Sequence, residues 1–351
     1  MDHRNLGTTG VKVSPLCLGT MMFGAWGNPD HEDATRIVHT ALDAGLNFVD
    51  TADVYSHGES ERILGRALAG RRDSVVLATK AGSPMGADPN ERGSSRRWIL
   101  RACEDSLRRL GTDHLDLYQV HRPDPDTAID ETLGALTDLV RQGKVRYLGS
   151  STFPPATIVQ AQWTAERRGR ERFVCEQPPY SLLTRGIENE VLPTCAEHGL
   201  GVLAWSPLTG GWLSGRWRTG APGLASRRTE KMPHPATHAH YDLSVPGNRA
   251  KLDAATALGE LAEEAGLPLI HLALAFVLRH PAVTSAVIGP RTLAHLESQL
   301  GAATVTLDEA VLDRIDEIVA PGTDLNPADT GYRSPALAEP SRRRRPIHSG
   351  R

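Results

Sequence analysis

Three apolar runs in this chain each end in a polar residue: LNFVD at 46–50, VVLATK at 75–80 and LDLYQVH at 115–121. Each run has the length and aliphatic content of a buried parallel strand, and helical patterns separate the three. Because the carboxyl ends of such strands meet at one face of a sheet, Asp50, Lys80 and His121 are predicted to share a pocket with Tyr55. The four side chains combine a hydroxyl that can give up a proton, a cation that eases its loss, a carboxylate that holds the cation and a second proton donor. They predict an acid catalyst that protonates an oxygen.

Strand and helix patterns alternate along the rest of the chain. The eight strand candidates lie at 16–18, 47–49, 75–79, 115–120, 145–149, 174–176, 202–204 and 286–288. The eight helix patterns that follow them lie near 32–44, 60–69, 95–110, 130–142, 155–167, 187–198, 269–278 and 293–300. Eight strand–helix units favour an α/β fold of the closed (β/α)8 TIM barrel type, which takes about 250 residues and leaves roughly 100 for additions.

These additions can be located in the sequence. An N-terminal β-hairpin (4–6 and 12–14) is predicted to close the bottom of the barrel, and an insertion follows the seventh strand, from 213 to about 266, with a helix near 248–265. Within it, residues 216–241 are rich in Gly and Pro and are predicted to form a lid. We expect residues 1–320 to form a single barrel domain and residues 321–351 a C-terminal extension that is partly disordered.

Composition limits the partners. The 351 residues are 40% hydrophobic and carry a net charge of −3 with a pI near 6.5, which argues against nucleic acid and membrane surfaces and favours a small-molecule substrate. Four scattered cysteines without a C-x-x-C pair suggest reduced thiols. The longest apolar stretch, 267–278, is too short to span a membrane. The expectation is a soluble cytoplasmic protein, with a homo-oligomer left open.

Several ordered motifs resemble those of the aldo-keto reductases. LGTTG at 6–10 leads to LGTM at 18–21, AGLNFVDTA at 44–52 is followed by Tyr55, and AWSPL stands at 204–208. The resemblance covers about residues 4–320, and GGWLSG at 210–215 is similar to the microbial and channel-β-subunit branch. It implies a TIM barrel, a nicotinamide cofactor bound without a Rossmann fold, and reduction of an aldehyde or ketone to an alcohol.

The four residues of the opening motif suit this chemistry. Hydride addition to a carbonyl leaves an alkoxide, so a donor that protonates the oxygen lowers the barrier. Tyr55 is the predicted general acid, assisted by Lys80, Asp50 and His121, because a phenol with a pKa of about 10 needs a nearby cation. Taken singly, each residue also has a structural explanation: an ion pair for Asp50 and Lys80, a loop aromatic for Tyr55 and a turn histidine for His121. The substrate pocket is predicted to include Trp26, Tyr55 and His121.

The resemblance also implies a cofactor path across the later strands. It places Ser150 or Ser151 and Gln177 on the carboxamide, Trp205 on the nicotinamide ring, and backbone groups of 206–215 around the pyrophosphate, although Thr152 stands where the family has Asn. The predicted residues of this part are Gly19, Thr20, Ser150, Ser151, Gln177, Trp205, Ser206, Pro207, Leu208, Gly210, Gly215 and Arg216.

A phosphate site is predicted after the eighth strand, where GPRT at 289–292 opens a helix. By resemblance this region holds the adenosine 2′-phosphate, so Arg291 favours NADPH (NADP+) over NADH. The predicted contacts are Ile288, Gly289, Arg291, His295 and Gln299; the last two, and Ser298, differ from the residues common in the family.

Three further hypotheses remain. His234, His238 and His240 lie in the Pro-rich insertion without a cysteine or carboxylate at ligand spacing, so no metal site is predicted. The alternatives to a carbonyl reductase are a cofactor-binding, redox-sensing regulatory subunit and a sugar-nucleotide reductase in deoxysugar biosynthesis.

Overall fold

A computed structural model describes residues 2–216 and 239–344 of the chain. Its strands are β1 Arg4–Asn5, β2 Lys12–Val13, β3 Leu16–Gly19, β4 Phe48–Asp50, β5 Val76–Ala81, β6 Leu115–Val120, β7 Val145–Ser151, β8 Phe173–Gln177, β9 Gly201–Trp205 and β10 Val283–Ile288. β1 and β2 form an antiparallel hairpin, and β3 to β10 form a closed barrel of parallel strands in chain order, with β10 beside β3. The predicted (β/α)8 barrel and its hairpin are confirmed.

Helices cover the outside of the barrel. They are α1 His31–Asp43, α2 Glu59–Ala67, α3 Arg96–Leu110, α4 Ile129–Arg141, α5 Pro155–Arg168, α6 Val191–Glu197, α7 Pro246–Glu264, α8 Leu269–Arg279, α9 Leu293–Leu300, α10 Glu309–Ile318 and α11 Pro335–Ala338. Their apolar faces and the outward residues of the strands form one continuous core. A second, smaller core lies inside the barrel.

Side-chain alternation along the strands determines where the site lies. An apolar layer fills the lower interior with Cys17, Phe48, Ala78, Leu117, Cys175 and Leu203. Residues two positions further along a strand point into the same interior, one layer closer to the carboxyl ends. From Phe48 and Ala78, this rule leads to Asp50 and Lys80. The polar residues therefore form the layer directly below the mouth of the barrel, where sites of this fold lie.

The hairpin closes the opposite end. Leu6 and Val13 are fully buried against the lower apolar layer, and Arg4 Nη1 donates to Val283 O at 3.0 Å. Gly7 has a φ of +58°, and a Cβ there would lie 2.7 Å from Gly199 O, so only glycine allows this approach to the bottom of the barrel. The hairpin thus separates the barrel interior from solvent at the bottom.

A buried ion pair holds the helix that follows the Tyr55 segment. On α2, Glu61 pairs with Arg109 of α3 at 2.6 Å and accepts from Thr79 Oγ1 of β5 at 2.6 Å, and the Glu61 side chain is fully buried. Because both carboxylate oxygens of Glu61 have partners, α2 is held against both β5 and α3. The Tyr55–Gly58 turn leads directly into α2 and is therefore held in place at its end.

The insertion and the C-terminal segment meet beside the barrel. The predicted helix near 248–265 is observed as α7, whose Lys251 Nζ lies 2.8 Å from Asp329 Oδ2 and whose Asn248 accepts from Asn326 at 2.8 Å. Of the predicted lid at 216–241, residues 217–238 lie outside the described residues, as do 345–351 of the predicted extension. No single helix in the described ranges is long and apolar enough to cross a membrane; α7 and α8, bent by 95° to one another, pass that test only as a pair.

Candidate active site

The site centres on the ammonium group of Lys80, which is fully buried at the end of β5. Its Nζ donates to Asp50 Oδ2 at 2.5 Å, to Thr51 O at 2.8 Å and to Tyr55 Oη at 3.2 Å. These three contacts use all three donors of the ammonium. The phenol oxygen is therefore directly linked to a cation, and the cation to a carboxylate.

Two amides hold the carboxylate from across the barrel. Asp50 Oδ1 accepts from Gln119 Nε2 at 3.1 Å and from Gln177 Nε2 at 3.0 Å. These residues lie on β6 and β8, while Asp50 lies on β4. The closure of the barrel is what brings the three together, and it leaves the carboxylate unable to rotate away from Lys80 without losing hydrogen bonds.

The electrostatics favour a protonated phenol beside a charged ammonium. Burial raises the pKa of Tyr55 above its ordinary value, and the Lys80 charge acts against that increase. Burial on its own lowers the pKa of Lys80, but the charges of Asp50 and Tyr55 bring it above its ordinary value. At neutral pH Tyr55 therefore holds a proton to give, and Lys80 stabilises the phenolate that remains.

His121 stands on the other side of Tyr55. The two rings meet edge to face with centroids 5.9 Å apart, and His121 Nδ1 lies 3.3 Å from Ser83 Oγ. Burial, with the charges of Lys80 and Arg122, lowers the pKa of His121 well below its ordinary value. The imidazole is therefore neutral at physiological pH. Within the described residues Nε2 makes no hydrogen bond, so this nitrogen is the one available to a substrate oxygen.

The loop that carries Trp26 is attached to the Tyr55 turn. Ser56 and His57 have φ values of 47° and 53°, a conformation that non-glycine residues adopt at a cost of about 1 kcal/mol. In this conformation Ser56 Oγ donates to Phe23 O at 2.9 Å and accepts from Trp26 N at 3.1 Å. The Trp26 ring then lies 6.2 Å from the Tyr55 ring. The three predicted substrate-pocket residues are thus neighbours.

The side chains of Ser150 and Ser151 point in opposite directions. Both residues lie in β7, which continues to Ser151, and the side chains of successive strand residues alternate between the two faces. Ser151 shares the inner face with Gln177 and donates to Gln177 O at 2.9 Å. Ser150 faces the helices and donates to buried Glu176, whose pKa burial raises to about 7. Of the two, only Ser151 reaches the mouth.

Trp205 lies at the carboxyl end of β9. Its Nε1 donates to Thr152 Oγ1 at 3.3 Å, and Thr152 has a φ of 59°, in the region that Asn tolerates better than Thr. Beside this contact, a Cβ at Gly331 would come within 2.7 Å of Trp205 Cζ2, so the C-terminal segment packs against the indole. The ring is fixed by both contacts.

The loop after Trp205 has the backbone freedom that the sequence predicts. Within the turn Thr209–Ser214, Gly210 and Gly211 have φ values of 65° and 103°. Ser206 and Thr209 also have positive φ, at 58° and 48°. Thr209, Gly210 and Gly211 thus have positive φ in succession, and the N–H groups of Thr209 and Gly211 donate within the turn, to Ser206 O and Leu208 O at 2.8 Å. The two glycines carry no side chain that would keep a ligand away from this backbone.

Basic residues from two distant segments meet near α9. Burial lowers the pKa of His295, and the charges of Arg291 and Arg216 lower it further, so the three are grouped. The Thr292 side chain caps the helix by accepting from His295 N at 3.3 Å. A cluster of cations at a helix N-terminus suits a phosphate.

The side chains of four predicted cofactor residues are absent, buried or already hydrogen-bonded within the protein. Gln299 donates to His295 O at 2.6 Å on its own helix. Thr20 is fully buried, and its hydroxyl lies 2.8 Å from Ser60 Oγ. Ile288 is buried in the barrel wall, and a Cβ at Gly19 would lie 2.7 Å from Val287 Cγ1. Any part these residues take is through their backbone.

Three residues near the site were not predicted from the sequence. Gln119 could have been predicted, because residues two positions apart on a strand share a face and Gln119 lies between Leu117 and His121 on that face. Arg122 directly follows His121, and the strand-end pattern that identifies His121 does not extend to it. Asp53 lies between Asp50 and Tyr55 in sequence, and its N–H donates to Lys80 O at 3.1 Å, yet its carboxyl points away from the mouth toward Glu61 and Arg109.

Asp53 makes the fold sensitive to pH. The residue is buried, and neither carboxyl oxygen has a hydrogen-bond partner among the described residues. Burial and the Glu61 charge raise the pKa of Asp53 to about 8, which the Arg109 charge partly opposes. The folded chain therefore keeps a proton that the unfolded chain loses near pH 4. The contribution of Asp53 to the free energy of unfolding therefore falls as the pH rises from about 4 toward 8.

We expect Asp53→Asn to remove this loss. The free energy of unfolding of the variant, relative to the original chain, should increase by at least about 1 kcal/mol between pH 5 and pH 8 in urea titrations, because the amide cannot ionise. The matched control is Asp88→Asn, an exposed carboxyl whose pKa is lowered by its hydrogen bond from the Asn90 backbone. That control should show no pH trend in this range. A constant difference for Asp53→Asn would contradict the assignment.

Comparisons with known proteins agree with this architecture. A family model described as the aldo/keto reductase family matches residues 15–320. The "uncharacterized oxidoreductase YrpG" of Bacillus subtilis is 42% identical over 330 residues, which cover 91% of this chain and 96% of that protein. A "probable voltage-gated potassium channel subunit beta" of Arabidopsis thaliana is 34% identical over 335 residues, covering 91% and 97%. The "versiconal hemiacetal acetate reductase" of Aspergillus parasiticus is 32% identical over 347 residues, covering 92% and 98%.

Proposed function

Since this chain belongs to the aldo/keto reductase family and is an oxidoreductase, we propose that it reduces an aldehyde or ketone to an alcohol with NADPH. The observation that carries the proposal is the linked Tyr55 Oη, Lys80 Nζ and Asp50 Oδ2 at the mouth of the barrel. A buried phenol joined to a buried ammonium has little structural purpose, because the alternative of an apolar pair would avoid the cost of burying the charges.

The residues at the mouth fit a nicotinamide dinucleotide. Trp205 offers a fixed aromatic face, Ser151 and Gln177 offer hydrogen-bonding groups beside it, and Gly210 and Gly211 let a ligand come close to the loop backbone. The basic cluster at α9 offers a site for the adenosine phosphate. When bound, the reduced nicotinamide supplies a hydride to the carbonyl carbon.

The four central residues act on the oxygen of the substrate. As the carbonyl oxygen gains the electron pair, Tyr55 Oη transfers its proton to it and the O–H bond of the product forms. Lys80 stabilises the phenolate, and Asp50 keeps Lys80 in place. Neutral His121 orients the same oxygen through Nε2. Tyr55 then regains a proton from solvent before the next cycle.

A panel of carbonyl compounds tests the proposal. Aliphatic and aromatic aldehydes, ketones and sugar-nucleotide ketones would be mixed with NADPH and the purified chain, and the loss of the near-ultraviolet absorbance of the reduced nicotinamide followed. Steady oxidation that depends on both protein and carbonyl compound is expected. No oxidation with any compound would contradict a carbonyl reductase.

A second candidate is a regulatory subunit that binds the same cofactor. The similarity to potassium channel β subunits extends over 91% of the chain, which is why this function is also considered. Such a subunit would bind NADPH tightly and turn over slowly. Cofactor affinity measured beside the rate in the panel separates the two functions.

Arg291 is expected to set the preference for NADPH. Its replacement by Gln removes one charge from the basic cluster and should weaken NADPH binding by about 1 to 3 kcal/mol, with little effect on NADH. Fluorescence titrations with both cofactors measure this. Arg279→Gln is the matched control, because Arg279 pairs with Glu309 at the surface. Equal weakening of both cofactors would show that Arg291 does not contact the 2′-phosphate.

A further inference from the structure

Arg122 follows His121 directly, at the point where β6 ends. Its Nη1 donates to His121 O at 2.6 Å and to Ser151 Oγ at 3.4 Å. Its Cζ lies 5.6 Å from the centroid of the Trp205 ring. The guanidinium is thus held at the mouth by contacts with residues of three different strand ends.

The charge of Arg122 is not compensated within the described residues. The Lys80 ammonium is balanced by Asp50 at 2.5 Å, but no described carboxylate forms an ion pair with Arg122. Glu176 is the carboxyl group whose charge acts on Arg122, and that carboxyl already accepts from Ser150 and from Phe153 N. Burial lowers the pKa of Arg122, yet a guanidinium remains charged throughout the physiological range. Arg122 therefore brings to the mouth a positive charge that no ion pair among the described residues balances.

Part of the guanidinium has no hydrogen-bond partner among the residues that the structure describes. Only Nη1 makes hydrogen bonds to described residues; Nε and Nη2 make none. An arginine fork presents paired N–H groups at the spacing of two carboxylate oxygens, which gives bidentate contacts. A purely structural arginine stacked on Trp205 would more commonly have these donors paired with protein acceptors, because unpaired, partly buried donors cost free energy.

We propose that Arg122 is a specificity-determining residue that selects carbonyl substrates bearing a carboxylate. Arg122 Nη1 lies 2.6 Å from His121 O, and the rings of His121 and Tyr55 lie 5.9 Å apart, so one small molecule can place its carbonyl oxygen at Tyr55 and its carboxylate at Arg122. The inference rests on the proposed carbonyl reduction, and it adds the class of substrate.

Two aldehydes that differ in the charge of the para substituent test the selection. For the original chain, kcat/KM for 4-carboxybenzaldehyde should exceed that for its methyl ester, methyl 4-formylbenzoate. Arg122→Met should lower kcat/KM for the acid by about 10- to 100-fold, mostly through KM, and change that for the ester little. Arg122→Lys keeps the charge without the fork and should fall between the two. NADPH affinity should be the same in all three proteins.

Three outcomes would overturn the role of Arg122. These are an equal loss for acid and ester, no loss for either, and a loss of NADPH affinity that accounts for the effect. The first would mean that Arg122 acts on Tyr55 and not on the substrate, and the last that it holds the cofactor.

A binding measurement separates this inference from the proposed reaction. Benzoate should raise the melting temperature of the original chain, with and without NADP+, more than uncharged benzamide does, and Arg122→Met should abolish the difference. If the original chain reduces neither these two aldehydes nor any compound of the carbonyl panel, the proposed reaction fails, while the benzoate result still decides whether Arg122 binds carboxylates. Equal effects of benzoate and benzamide would contradict the inference.

Discussion

Tyr55→Phe is expected to lower kcat by at least about 100-fold while NADPH affinity stays nearly unchanged. The change removes only the phenolic oxygen, which lies 3.2 Å from Lys80 Nζ and is the proposed proton donor. The ring remains, so its contacts with Trp26 and His121 remain as well. Single-turnover measurements with saturating cofactor isolate the chemical step from product release.

Tyr118→Phe is the matched control for this result. Tyr118 is fully buried on β6, and its hydroxyl donates to Ile99 O at 3.4 Å on the helix side of the barrel. Loss of that hydroxyl should leave kcat close to its original value. Near-original turnover in Tyr55→Phe itself would end the assignment of Tyr55 as the acid.

Lys80→Met should be similarly damaging, and saturating substrate should not restore the rate. Without the ammonium, formation of the phenolate at Tyr55 loses its stabilising charge, and a phenol with a pKa raised by burial is a poor donor. The effect is expected in kcat because the three donors of Lys80 are used by Asp50, Thr51 and Tyr55. A rate that recovers at high substrate concentration would identify Lys80 as a binding residue instead.

The stability of the Lys80 variant needs a control of its own. Removing one partner of a buried ion pair costs about 3 to 5 kcal/mol, because the other charge stays buried. The double variant Lys80→Met, Asp50→Asn removes both charges and should recover part of the free energy of unfolding, measured in urea, but none of kcat. Recovery of both would mean that the loss of activity came from misfolding.

The barrel could be predicted from the sequence because each strand is a short apolar run between turns. The same feature locates Asp50, Lys80 and His121, since a polar residue that ends such a run must lie at the mouth. The observed contacts among Lys80, Asp50 and Tyr55 agree with that prediction. Local pattern was sufficient there because each position depends on one strand.

Positions that depend on strand register or on contacts among several elements are harder to predict from the sequence. The fifth barrel strand was predicted to end at 149, whereas it runs through Ser151, so the alternation that separates Ser150 from Ser151 was missed. Contacts of Gln119 and Gln177 with Asp50 require the barrel to close. The uncompensated charge of Arg122 depends on which acids end up near it, and no local pattern reports that.

The hairpin at the bottom of the barrel bears on the supply of protons during turnover. Leu6 and Val13 cover the lower apolar layer, so the hairpin blocks the path from the bottom of the barrel to Tyr55. In the proposed reaction each reduction uses the phenolic proton, and product at the mouth stands between Tyr55 and the solvent that replaces this proton. We therefore expect the alcohol to leave before Tyr55 is protonated again. In the proposed reaction, a barrel closed at the bottom thus makes reprotonation of Tyr55 wait for release of the product.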